Sequence, residues 1–115
     1  MGWDYPLDVI ERWYAGKRPG WDWARVVERD GAVVAYIAAK GGYIDDLFVD
    51  PGHQGLGLGT ALLTALLERG PRPVTLDVFE ENRAARRLYE RFGLRPTRSR
   101  WNHADGAMEL VYRLD

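Results

Sequence analysis

The stretch Gln54-Gly-Leu-Gly-Leu-Gly-Thr60 carries the clearest chemical signal in this chain of 115 residues. Glycines at 55, 57 and 59 permit left-handed backbone angles and leave no side chains in the way, so successive amide N–H groups can converge on an anion. The apolar run Leu47-Phe-Val49 precedes the turn and an amphipathic run follows it, which puts those amides at a helix start. There, free donors and the positive end of the helix dipole favour phosphate. Two familiar phosphate loops are excluded. A Walker loop ends in Gly-Lys-Ser/Thr, whereas Gly59 is followed by Thr60 and Ala61. The dinucleotide fingerprint has a third glycine three residues after the second, and at that distance from Gly57 stands Thr60. What remains is a Q-x-x-G-x-G pattern behind the run Tyr43 to Val49 and the Asp50-Pro51 turn.

The elements that must hold this turn follow from periodicity and punctuation. Trp3, Leu7, Ile10, Trp13 and Tyr14 have the spacing of a short amphipathic helix over residues 3–15. Trp21 to Glu28 and Ala32 to Ala39 are β-rich runs joined by Asp30-Gly31, a tight-hairpin signal. Lys40-Gly41-Gly42 then turns the chain into a third run, Tyr43 to Val49. After the glycine turn, Leu58, Ala61, Leu62, Ala65 and Leu66 recur at helical spacing until Gly70 and Pro71. Val74 to Phe79 reads as a strand, and with a whole helix intervening it can lie parallel to the strand ending at Val49 through a right-handed crossover. Asn82 can cap a second helix reaching about Phe92, closed by Gly93. Leu94 to Trp101 and Met108 to Leu114 read as a last hairpin.

Composition narrows the function. One domain, residues 1–115, accommodates the length. With 46% hydrophobic and 29% charged residues and a net charge of −1, there is no basic field to draw nucleic acid or an acidic membrane surface. The absence of cysteine removes disulfides, thiolate metal sites and an acyl-cysteine mechanism, and fits a cytoplasmic enzyme. No apolar run approaches the ~20 residues of a membrane span, and Met-Gly-Trp-Asp-Tyr-Pro at the start has no signal-peptide character. Neither His53 nor His103 belongs to a ligand-spaced cluster, so no metal is expected. Four of the five tryptophans, Trp3, Trp13, Trp21 and Trp23, fall at the front. They suit sealing a core, walling a pocket or joining two subunits.

In the order of these elements and in two motifs, the chain resembles the GNAT superfamily of N-acetyltransferases over about residues 22–114. The first motif is Gln54-Gly-Leu-Gly57-Leu-Gly59 with its preceding strand and Asp-Pro turn. The second is Asn82-Arg-Ala-Ala85-Arg-Arg-Leu88-Tyr89-Glu-Arg-Phe92-Gly93, which resembles the family's N-x-x-A-x-x-x-Y segment except that Phe92 precedes Gly93. The front, residues 1–21, is shorter than the strand and two helices that most members carry there.

The resemblance implies an α/β GNAT fold: a mixed, mostly antiparallel sheet with a parallel, splayed central pair of strands and helices on both faces. It implies acetyl-coenzyme A as cosubstrate, without a metal. The pantetheine amides would pair with the backbone of Leu47, Phe48 and Val49. Its pyrophosphate would rest on the turn formed by Gln54, Gly55, Leu56, Gly57, Leu58, Gly59 and Thr60. Asn82 would contact the cofactor, and Tyr89 would protonate the leaving sulfur, since a phenol of pKa ~10 suits a thiolate whose thiol titrates near ~8.5. Without the motif Tyr89 reads only as a half-buried helix aromatic. Asp77, where some members carry a catalytic glutamate, competes with Asp45, Asp46 and a water relay for the role of base. Arg83, Arg86 and Arg87 could meet the cofactor's 3′-phosphate. The acceptor would be a small-molecule or peptide amine attacking directly in a ternary complex, with no nucleic acid or membrane partner and a homodimer covering apolar sheet surface left by the short front. The alternative is a non-catalytic acyl-coenzyme A-binding module.

Overall fold

The computed structural model describes residues 8–12, as backbone, and residues 21–115. Two parts are described in turn, residues 1–70 and residues 71–115.

In the first part the strands β1 (Asp8–Arg12), β2 (Trp23–Arg29), β3 (Ala32–Lys40) and β4 (Tyr43–Val49) pair antiparallel in chain order. The β2–β3 turn places Asp30 at φ 52° and Gly31 at φ 81°. Two positive angles in succession make the turn whose twist matches the flanking strands, and Asp and Gly are the residues that tolerate them. The helix α1 (Leu58–Arg69) buries Leu58, Leu62, Leu63, Ala65 and Leu66 and packs on β3 and β4. Each buried leucine contributes about 1.5–3 kcal/mol by leaving water. Opposite this stripe, Ala35, Ile37 and Ala39 of β3 are wholly buried. Gly70, at φ 105°, ends the helix, and Arg69 reaches the carbonyl of Gly41 at 3.0 Å.

The helix expected over residues 3–15 is corrected by β1, which occupies the middle of that span and pairs Asp8 with Glu28 and Arg12 with Ala24. The rest of the span lies outside the described residues. Two causes favour the strand. Val9 and Ile10 are β-branched and adjacent, which suits extended backbone. With β3 on one side of it, β2 also offers a second row of N–H and C=O groups, and a strand satisfies them where a short helix cannot. The front of the chain therefore contributes a strand to the sheet.

In the second part, β5 (Val74–Phe79), α2 (Arg83–Arg91), β6 (Arg95–Asn102) and β7 (Ala107–Leu114) follow in order, with β7 antiparallel between β5 and β6. Val74, Leu76 and Val78 alternate inward, and Leu110 and Tyr112 join them from β7. Tyr112 is completely buried. Its hydroxyl accepts from Arg86 Nε at 3.0 Å and donates to Glu90 Oε2 at 2.5 Å, fastening α2 to β7. Burial and the Glu90 hydrogen bond both push the Tyr112 phenol above its usual range, and Arg86 opposes them. Along β6, residues 95–101 are all exposed, and Pro96 with the bulge at Thr97 blunts the strand's free side.

Candidate functional site

The glycine turn is built from its flanks inward. Asp50 N donates to the carbonyl of Val34 at 2.8 Å, tying the end of β4 to β3. The Asp50 carboxylate then accepts from Gly52 N at 3.0 Å and from His53 Nδ1 at 2.9 Å, which closes a single 3-10 turn over Pro51–His53. The His53 hydrogen bond, with the Gly52 amide, lowers the Asp50 pKa against a smaller opposing effect of burial. Next, Gln54 Nε2 donates to the Val49 carbonyl at 3.4 Å, so this side chain braces the turn.

Gly55 and Gly57 take φ 82° and φ 78°. A Cβ at Gly55 would meet nothing within 4 Å, so glycine is required there by backbone angle rather than by crowding. Gly57 is the N-cap of α1 and offers no side-chain hydrogen bond. The first bond into the helix runs from Ala61 N to Gly57 O at 2.9 Å. The amides of Leu58, Gly59 and Thr60 therefore have no acceptor among the described residues. Residues 54–57 are exposed, while Leu58, 2% exposed, anchors the first turn of α1 in the core. The turn is open, and three free donors stand at the positive end of a twelve-residue helix.

Leu47, Phe48 and Val49 sit on β4 opposite Ile37, Tyr36 and Ala35. The register slips between Ala38 and Ala39, which face Asp46 and Ile44, so Asp45 is the extra residue of a β-bulge. A bulge bends its strand and re-aims the residues beside it. The Asp45 carboxylate accepts from Trp21 Nε1 at 2.6 Å, and the Asp46 carboxylate accepts from the Tyr36 hydroxyl at 2.5 Å. The rings of Trp21, Tyr36 and Phe48 form a chain, with centroids 6.2 and 5.6 Å apart. These partners lie 24 and 10 residues away in sequence, and no local motif announces them.

In the second part, Asn82 Oδ1 caps α2 by accepting from Ala85 N at 3.3 Å, which leaves its amide NH2 for another partner. Tyr89 is the one buried residue of α2, 7% exposed, with its ring 6.2 Å from that of Tyr112. Asp77 pairs with Arg100 at 3.4 Å, and Arg100 also meets Glu109 at 3.5 Å. Of the three arginines considered for the 3′-phosphate, Arg86 is engaged by Tyr112 and by the Glu80 carbonyl at 2.9 Å, while Arg83 and Arg87 are exposed. Sequence reasoning missed the Asp50–His53 clamp, although an Asp two residues before a glycine amide is a recognisable turn signal.

A sequence profile described as the acetyltransferase (GNAT) family matches residues 3–94, and the chain belongs to that family. Peptidyl-lysine N-acetyltransferase YjaB of Escherichia coli is 35% identical over 75 residues, covering 65% of this chain and 50% of that protein. A mycothiol acetyltransferase of Salinispora tropica is 40% identical over 93 residues, covering 76% of this chain and 27% of that protein. The chain thus spans half or less of the length of these two relatives. Among solved structures, the ribosomal-protein-S18-alanine N-acetyltransferase of E. coli superposes with a TM-score of 0.70 at 27% identity, covering 84% of this chain and 70% of that one. A Bacillus anthracis protein assigned as a streptothricin acetyltransferase, in complex with acetyl coenzyme A, gives 0.70 at 20% identity, covering 88% and 65%. The fold is the α/β GNAT fold. The family match begins at residue 3, ahead of the boundary at residue 22 that the motifs suggest, in keeping with the strand β1. No helix among the described residues is long and apolar enough to cross a membrane.

Proposed function

We propose that this chain is an acetyl-coenzyme A-dependent N-acetyltransferase that moves an acetyl group to a primary amine by direct attack in a ternary complex. One observation carries the reading: the open turn at residues 54–60, with free amides of Leu58, Gly59 and Thr60 at the start of α1. Those donors suit a diphosphate. Gly55 and Gly57 shape the approach, Leu56 contributes exposed apolar surface, and Gln54 braces the turn. The backbone of Leu47, Phe48 and Val49 pairs with the pantetheine amides, and a backbone N–H of β4 stabilises the oxyanion. Asn82 contacts the cofactor with its free NH2. Tyr89 protonates the departing sulfur, and a carboxylate, Asp77, Asp45 or Asp46, or a water relay takes the proton of the amine. The acceptor is a small-molecule or peptide amine. Two copies assemble as a homodimer across the apolar sheet surface expected behind the short front.

Acetyl-coenzyme A at one hundred times its Kd adds ~2.7 kcal/mol of stability to a protein that binds it. A thermal shift tests the binding, and thiol release over an amine panel tests the transfer. Tyr89→Phe is expected to slow thiol release by about 10²- to 10⁴-fold while leaving the thermal shift intact. A shift without thiol release on any amine replaces the enzyme by a non-catalytic acyl-coenzyme A-binding module, and no shift at all removes the reading.

A further inference from the structure

We propose that Asp46, positioned by Tyr36, is the group that takes the proton from the acceptor amine, an assignment that rests on the acetyl transfer proposed above. Three carboxylates compete. Asp77 has its charge engaged by Arg100 at 3.4 Å, and Arg100 is shared with Glu109. Asp45 is the unpaired residue of the β4 bulge, is exposed, and is held from one side by Trp21 Nε1. Asp46, which like Asp45 accepts one neutral hydrogen bond, differs from Asp77 in its charge partners and from Asp45 in its place in the strand and its burial. It stays in the ladder opposite Ala38, is half-buried, and meets no cation among the described residues.

The Tyr36 hydroxyl occupies one Asp46 oxygen at 2.5 Å with a neutral donor. The second oxygen keeps its lone pairs for an incoming N–H. Tyr36 is itself directed by its neighbours, between Trp21 at 6.2 Å and Phe48 at 5.6 Å. Phe48 stands opposite Tyr36 in the register and two residues beyond Asp46, so all three share one face of the sheet. That face offers an ammonium group two forms of attraction, the Asp46 carboxylate and the faces of aromatic rings. Asp46 directly precedes Leu47–Val49, the backbone proposed to carry the thioester arm. At about 3.3 Å of rise per residue, the carboxylate lies within roughly 10 Å of the whole segment along the strand.

The step balances as follows. The amine lone pair forms the C–N bond at the acetyl carbon while the C=O π pair moves to oxygen. The nitrogen, now positively charged, passes its N–H proton to Asp46. The carbonyl re-forms, the C–S bond breaks with its pair on sulfur, and the thiolate takes a proton from Tyr89. An amide and a thiol result, and solvent takes the proton from Asp46 and gives one to Tyr89.

The test compares Asp46→Asn, Asp46→Glu, Tyr36→Phe and Asp77→Asn over a series of primary amines of graded basicity, recording kcat, KM for each substrate and the Kd of acetyl-coenzyme A. Asp46→Asn is expected to lower kcat by about 10²- to 10⁴-fold with the Kd unchanged. The deficit should shrink for weakly basic amines, which need less help in losing a proton, and Asp46→Glu should restore part of the rate. Tyr36→Phe should lower kcat by a smaller factor and leave the Kd alone, and it serves as the test if Asp46→Asn does not fold. A deficit equal across all amines, a wild-type kcat in Asp46→Asn or Tyr36→Phe, or a larger loss in Asp77→Asn overturns the assignment. Wild-type protein that releases no thiol with any amine overturns instead the acetyl transfer on which it rests.

Discussion

Replacing Gly55 by alanine separates a backbone requirement from a binding requirement, because the fold supplies its own control. Gly55 has φ 82° with open space around a would-be Cβ, and Gly31, in the β2–β3 hairpin turn, has φ 81° with the same open space. A non-glycine residue in the left-handed region costs about 1–2 kcal/mol, and the loss of unfolded-state freedom is alike at the two sites. Gly55→Ala and Gly31→Ala should therefore lose similar stability, about 1–2 kcal/mol by urea titration. Only Gly55→Ala disturbs the amides proposed to receive the diphosphate. Misdirecting one charge-assisted hydrogen bond costs about 1.5–3 kcal/mol, which is about 10- to 100-fold in affinity at 1.4 kcal/mol per decade. Isothermal titration with acetyl-coenzyme A reads this directly. Equal affinities for the two variants would refute the reasoning, since the turn would then act as a connection without a ligand.

Four further outcomes are expected. Tyr112→Phe removes the hydroxyl joining Arg86 to Glu90 and should destabilise by about 1.5–3 kcal/mol, measured by denaturant unfolding at neutral pH. Because the Tyr112 pKa is raised on folding, the folded state holds this proton where the unfolded chain releases it; that stability is complete below pH ~10 and declines as pH rises further, and Tyr112→Phe should show a shallower alkaline loss. Asp50→Ala opens the clamp around Pro51–His53 and should weaken acetyl-coenzyme A binding several-fold; since the Asp50 pKa is lowered on folding, acidification below about 3.8 should loosen the wild-type turn in the same way, followed by the NMR shift of the Gly52 amide. Asn82→Ala should cost about 1 kcal/mol by loss of the cap, whereas Asn82→Asp should keep the cap and lose cofactor affinity, and an unchanged Kd in the aspartate variant would confine Asn82 to capping. Sedimentation at micromolar concentration should give a dimer, and a monomer would remove the proposed homodimer.

The elements around the glycine turn could be read in advance because each is specified locally. Asp30-Gly31 dictates a two-residue hairpin turn, the leucine spacing from Leu58 to Leu66 dictates a buried stripe, and Gly70, Asn82 and Gly93 punctuate helices where they stand. Residues 3–15 misled for the opposite reason. Their apolar spacing fits a helix, but the fate of Asp8–Arg12 is decided by β2, a strand whose first residue lies eleven positions beyond Arg12. Periodicity measures which side of an element is apolar and is blind to a backbone edge waiting elsewhere in the chain.

The same distinction divides the candidate site. The portion proposed to bind an anion consists of backbone amides, whose availability depends on glycine angles and a helix start, and both are written in consecutive residues. The site's proposed proton-handling portion depends on which carboxylate is left free of cations, and the partners that decide this lie far apart in sequence. Asp45, Asp46 and Asp77 look alike in the sequence. Arg100, 23 residues beyond Asp77, engages one of them, and Tyr36, 10 residues before Asp46, orients another. Under the proposed transfer, the nest offers the diphosphate backbone amides alone and leaves the choice of amine to side chains elsewhere. Under the proposed transfer, selectivity for the acceptor comes from the other class of residue, pairs made across the sheet such as Tyr36–Asp46 and Trp21–Asp45.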